Sequence, residues 1–211
     1  METKTYEYRL TPLPYAYDTL EPNLDMATMK VHHHNHAQAF TYKLNCALAR
    51  CPELQDKTLE DILKNVHEVR RPIQAAIKDN AGGVYNHDLY FSLMQPCAKA
   101  APGGCLAEAI DEEFGSFENF KIKFIDAAAN IPGSGYAWLA VGKGGELKIV
   151  STANQDCVLS AGMRPVLVVD MWEHAYYLKY LNKRAAYLDS WWRVVNWEEA
   201  EKLYAKAIGG R

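Results

Sequence analysis

The nine residues PCAKAAPGG at 96–104 constrain the fold more than any other feature of this chain. Proline removes backbone donors and glycine loosens φ, so at this density neither a helix nor a strand runs through. Past an extended entry, everything before the segment patterns as helix, and the chain beyond it mixes helix with strand. The expected organisation is a helical part over 1–95 and an α+β part over 96–211.

In the first part, Pro12, Pro14 and Pro22 keep the leading twenty-five residues extended, with Tyr6, Tyr8, Tyr15 and Tyr17 along them. The run from Met26 to Arg50 contains neither Gly nor Pro, and Asp25 is placed to cap it, which predicts one long helix. Thr58 caps a second helix, LEDILKNVHEVR, which Pro72 is expected to break or kink. Gly82 and Gly83 mark a further expected irregularity before VYNHDLYFSLM. Two antiparallel helical arms fit this pattern.

In the second part, CLAEAIDEEF and FENFKIKFIDAAAN read as helices, the latter capped by Ser116. AWLAV, a turn at Gly142–Gly145 and ELKIVST read as a β-hairpin, with VLVVD at 166–170 as a third strand. Helix resumes with HAYYLKYLN and DSWWRVVN. Asn196 with Glu199 then opens the last helix, WEEAEKLYAKAI.

The net charge of -3, from 23 basic and 26 acidic residues well mixed, leaves no footprint for nucleic acid or an anionic membrane. No stretch approaches the roughly 20 apolar residues of a membrane span, and METKTYEYRL carries charge where a signal peptide needs an apolar run. Five cysteines at irregular spacings, with no CxxC pair, read as reduced thiols. A soluble, cytoplasmic protein is expected.

Seven histidines are few enough to weigh singly, and four of them, His32, His33, His34 and His36, lie within five residues. On a helix His32 and His36 project from one face, while His33 and His34 turn away by about 100° and 200°. Such a run is also what a solvated polar face looks like. Asp170 weighs against that reading, because it ends an apolar strand, where a charge belongs only if paired or bound to a cation. His174 follows four residues later, beside Trp172. Three imidazoles and a carboxylate suit iron, manganese or zinc. His87, in YNHDLYF, taken alone reads more readily as a hydrogen-bonded core histidine than as a ligand.

LTPLPYAYDTLEP at 10–22, MKVHHHNHAQAF at 29–40, AGGVYNHDLYF at 81–91, GSGYAWL at 133–139, STANQD at 151–156, DMWEHAYYLKYLNKR at 170–184 and WWRVVNWEEAEKLY at 191–204 resemble the iron/manganese superoxide dismutases nearly end to end. The resemblance implies an α+β fold: an N-terminal antiparallel helical hairpin, then a domain with a three-stranded antiparallel sheet that serves metal binding and dimerisation. It implies His32, His87, Asp170 and His174 as ligands of one Mn or Fe ion per subunit, with a water or hydroxide as fifth ligand and superoxide as substrate. Gln155 matches the glutamine that hydrogen-bonds this solvent. Many iron enzymes place that glutamine four residues before the second ligand histidine, here Gly83, so manganese is favoured.

By the same resemblance His36 is no ligand but a gateway residue that meets Tyr177 of another subunit. Glu173 reaches a partner's ligand histidine, implying a homodimer or homotetramer. Trp138 and Trp172 line the centre, and Arg184 with Lys183 gives superoxide a positive approach. Three positions depart from the family. Phe40 stands where a gateway tyrosine is usual, and Tyr42 cannot replace it, lying about 120° around the helix from His36 where Phe40 lies about 40° away. Phe91 and Tyr136 each replace a usual tryptophan. An oxygenase-like enzyme on the same centre, or a non-catalytic relative, are the alternatives; the latter is expected to have lost ligands, and all four are present.

Overall fold

The computed structural model describes residues 5–209. The first four residues of the expected extended segment lie outside the described residues. Helix α1 (Met26–Lys30) starts where the Asp25 side chain accepts the Thr28 amide at 3.1 Å. The run stays helical to Leu48, but it is not one regular helix. Val31–Ala37 forms a π-helical segment, and α2 (Gln38–Leu48) resumes the ordinary pitch. The wider i→i+5 turn coincides with two consecutive buried side chains, His32 and His33, that point to different partners.

Thr58 caps α3 (Leu59–Lys64), accepting the Asp61 amide at 3.1 Å. This helix is shorter than its sequence pattern, giving way to a 3₁₀ turn over Val66–Glu68. Pro72 does not kink a helix but does mark the expected break: the 3₁₀ turn ends at Glu68, and Pro72 sits in the first turn of a new helix, α4 (Arg71–Ser92), where its missing N–H costs nothing. Gly82 and Gly83 do not interrupt α4. Their role is steric: a Cβ on Gly82 would lie 2.0 Å from the Gln155 carbonyl oxygen, and one on Gly83 would lie 2.4 Å from the Phe40 ring. Helices α2 and α4 pack together as the arms of the hairpin.

Helices α5 (Gly104–Phe114) and α6 (Phe117–Ala129) come next, Ser116 accepting the Asn119 amide at 3.2 Å. Strands β1 (Gly135–Val141), β2 (Leu147–Ala153) and β3 (Arg164–Asp170) form an antiparallel sheet of order β2-β1-β3. The central strand β1 is buried along its whole length. Register matters for the site, because it sets Tyr136 opposite Asp170.

After β3 the helical pattern of HAYYLKYLN splits into a 3₁₀ turn (Glu173–Ala175) and α7 (Tyr177–Tyr180). The helix expected over DSWWRVVN is displaced: α8 spans Arg184–Trp192 and leaves the last residues out. The cause is a bridge between Met94 and Val195, in which the Gln95 amide donates to Val194 and the Asn196 amide to Leu93, each at 2.8 Å. Those backbone groups tie the end of the hairpin to the α+β part instead of extending a helix. Helix α9 (Trp197–Gly209) is capped by Asn196, which accepts the Glu199 amide at 3.1 Å. Phe120, Phe124, Trp191 and Trp192 pack ring on ring with Trp197, the first residue of that helix. The architecture is α+β, a helical hairpin followed by a domain with a three-stranded antiparallel sheet.

Candidate metal centre

Four side chains from distant segments meet between the two parts. One ligand atom from each of His32, His87, Asp170 and His174 lies within 4.8 Å of the others. Asp170 Oδ2 is the focus, at 3.1 Å from His32 Nε2, 3.4 Å from His174 Nε2 and 3.8 Å from His87 Nε2. The π-helical turn delivers His32, α4 delivers His87, the end of β3 delivers Asp170, and the following 3₁₀ turn delivers His174. Asp170 is fully buried yet anchored, since its Oδ1 accepts the Trp172 amide at 2.8 Å and its carbonyl accepts the Tyr187 hydroxyl at 2.9 Å.

The protonation states suit a cation. Burial holds the His87 imidazole down at about 4 and the His32 imidazole well below 6.5. Both are therefore neutral at pH 7. His87 Nδ1 lies 2.6 Å from the Gly83 carbonyl, which can only accept, so the proton sits on Nδ1 and the Nε2 lone pair faces Asp170. For Asp170 burial acts upward, but the imidazoles of His174 and His32 outweigh it and hold the carboxyl well below its usual range. A carboxylate set among neutral imidazoles fits an ion such as iron, manganese or zinc.

This burial has a pH signature. On unfolding, His32 and His87 regain the ordinary value of 6.5, so below it the unfolded chain takes up protons that the folded chain refuses. The stabilisation is complete above pH 6.5 and is lost as pH falls toward 4. The slope approaches about 1.4 kcal/mol per pH unit for each group. The unfolding midpoint of metal-free protein is expected to drop steadily from pH 7 to pH 5, and a flat profile would contradict neutral buried imidazoles.

Gln155, buried just beyond β2, is joined to this cluster through Tyr136, the ring of which lies 6.4 Å from that of His87. Its Oε1 accepts the Tyr136 hydroxyl at 3.0 Å, and its Nε2 has no partner among the described residues. Asn86 Nδ2 donates to the Gln155 carbonyl at 3.2 Å. Tyr187 and Tyr90 extend the network, their hydroxyls 3.0 Å apart. Burial raises the phenols of Tyr136, Tyr90 and Tyr187 far above 10, so they stay protonated. No sequence signal assigned roles to Asn86, Tyr90 or Tyr187; Tyr136 stood out only as a replaced tryptophan.

The other residues expected at the site take varied places. The His36 ring stacks on His174 with centroids 4.2 Å apart, outside the four-atom cluster. Trp172 also stacks on His174, at 5.4 Å. The Phe40 ring lies 5.4 Å from His87, and Phe91 lies 5.0 Å from His32. Trp138 is one step removed, packing on Tyr136 at 5.8 Å and donating to Thr152. Glu173, Tyr177 and Lys183 are exposed on the single chain. The Arg184 guanidinium is bound to the carbonyls of Ala129, Ile131 and Gly133 and to the Tyr176 hydroxyl, so its donors are engaged in holding loops together. His33, expected to turn away, does so into the interior: it lies 2.7 Å from the Thr11 carbonyl and 2.9 Å from the Tyr17 hydroxyl.

A helical hairpin and an α+β part that meet on three histidines and one aspartate define a metalloprotein with a nitrogen- and oxygen-liganded centre. Residues 7–95 match the alpha-hairpin domain of the iron/manganese superoxide dismutases, and residues 102–203 match their C-terminal domain. The chain is 49% identical over 200 residues to "Superoxide dismutase [Mn]" of Listeria innocua, covering 95% of this chain and 98% of the relative. Against "Superoxide dismutase [Mn]" of Thermus aquaticus the identity is 44% over 202 residues, covering 96% and 99%. The chain belongs to the iron/manganese superoxide dismutases.

Proposed function

We propose that this chain dismutates superoxide with one manganese ion, in preference to iron, held by His32, His87, Asp170 and His174. The observation that carries the reading is the convergence of their ligand atoms within 4.8 Å. When bound, such an ion supplies a one-electron couple, so that two superoxides and two protons become dioxygen and hydrogen peroxide. The protein's own groups set the rest. Gln155 Nε2 supplies a buried donor at the centre, and Tyr136 orients it by donating to Oε1. Gly83 and Phe40 support manganese: no side chain fits at 83 against the Phe40 ring, so Gln155 supplies the amide. Protein purified without added metal and reconstituted with each ion is expected to bind one per chain and consume superoxide. Inertness with both ions would overturn the reading.

Phe40 has no hydroxyl to pass a proton, so proton-limited turnover is slow by this reading. Phe40→Tyr is expected to raise turnover several-fold and shift its pH profile. The gain is expected to stay below the about 100-fold of a fully positioned general acid. An unchanged profile would count against it.

The reading extends to a homodimer, or a homotetramer built from it, with Glu173 and Tyr177 at the interface. Support comes from Tyr177, Leu178 and Leu181, apolar side chains 45%, 60% and 54% exposed on one short stretch. Light scattering tests this, a monomer arguing against it. The boundary between the parts is placed at 95/96, supported by α4 ending at Ser92 and α5 starting at Gly104. A cytoplasmic location fits the free cysteines, none of them paired. No helix among the described residues is long and apolar enough to cross a membrane.

A further inference from the structure

Outside the metal centre, cationic side chains from four separate segments surround one depression. Lys64 ends α3, Arg164 begins β3, Lys206 lies on α9 and Lys143 lies in the turn between β1 and β2. They line two adjoining hollows of about 340 Å³ and 110 Å³ that share Lys64, Leu159 and Arg164. Among the described residues Glu60 is the one carboxylate lining either hollow. Lys64 at 3.4 Å and Lys206 at 3.6 Å both lean on it, so a single negative charge is shared by two ammonium groups.

Arg164 donates only to the Gly142 carbonyl among the described residues, at 3.4 Å, and Lys143 makes no ion pair with them. Lys143 is nevertheless positioned. Its side chain crosses Gly162, where a Cβ would stand 2.6 Å from Lys143 Cε and 3.3 Å from Nζ. Four cations against one carboxylate leave a local excess of positive charge on a chain whose net charge is -3. Concave walls focus that field.

We infer that this cleft binds a small polyphosphate anion, a di- or triphosphate group. A hollow of about 340 Å³ is of small-ligand size. A lone phosphate, with a charge of about −1.5 to −2, would leave cations unmatched, whereas a short phosphate chain reaches several of them. The site is separate from the metal centre: Arg164 and Asp170 stand at opposite ends of β3, about 20 Å apart at the rise of a strand.

Calorimetric titration of metal-loaded protein with inorganic tripolyphosphate at low salt tests this. The expected result is one saturable site per chain that weakens as salt rises. Lys64→Gln and Arg164→Gln should each weaken binding about tenfold, the loss of one charge-assisted hydrogen bond, with superoxide consumption unchanged. Lys43→Gln, on the exposed side of α2, should leave binding intact. Lys64→Gln alone decides the matter if Arg164→Gln does not fold, since Lys64 lies at an exposed helix end. No saturable binding, an equal loss in Lys43→Gln, sulfate competing equally at matched ionic strength, or tighter binding of a duplex oligonucleotide through Lys64 and Arg164 would each overturn the proposal.

Discussion

Asp170→Asn is expected to abolish superoxide consumption and to lower metal affinity by more than about 100-fold, because changing even a partner that only supports a ligand costs about 10–100-fold. The change removes little volume and much chemistry. Asp170 Oδ2 is the atom on which three imidazole nitrogens converge, at 3.1, 3.4 and 3.8 Å, and it carries the only negative charge in the cluster. An amide in its place is neutral and presents either an oxygen or a donor NH₂ to the same point. A donor there would oppose the cation directly. Metal content after dialysis, with a calorimetric titration of the ion, measures the effect, and retention of metal at the unaltered protein's level would remove Asp170 from the ligand set.

The second large effect runs against helix propensity. Exposed in a helix interior, Gly82→Ala would stabilise by about 1 kcal/mol. Here the added Cβ would stand 2.0 Å from the Gln155 carbonyl oxygen, a backbone atom that cannot swing aside. Relief requires α4 to part from the segment after β2, an overpacking cost of about 3 kcal/mol that exceeds the propensity gain. Net destabilisation of about 2 kcal/mol lowers the unfolding midpoint by roughly 4–8 °C in a chain of this size. Activity should fall with it, since the segment that moves carries the Gln155 side chain and its bond from Tyr136. A midpoint that rises would mean that the two segments are not in close contact.

These two positions show how differently sequence speaks about the site and about its surroundings. Asp170 is legible because a carboxylate closing VLVVD is anomalous wherever the strand lies, and burial of charge demands a partner. Gly82 and Gly83 suggest a helix irregularity that does not exist, because glycine's local preference says nothing of a neighbour arriving from 155 or 40. The helix expected over DSWWRVVN fails similarly: Val194 and Asn196 are drawn off by backbone bonds to Gln95 and Leu93, a hundred residues away. His33 shows the limit of counting angles, since turning away from one partner brings it to Thr11 and Tyr17 rather than to solvent.

Residue order alone settles the alternation of helix and strand, the caps at Asp25, Thr58, Ser116 and Asn196, and which side chains have the chemistry to hold a metal. Each depends on groups within a few residues of one another, or on one group's own charge. Only the packed chain brings Tyr136 to orient Gln155, sets Tyr187 on the Asp170 carbonyl, and commits the donors of Arg184 to loop carbonyls. Those outcomes depend on strand register and on the contact of segments far apart in the chain, which no local preference encodes.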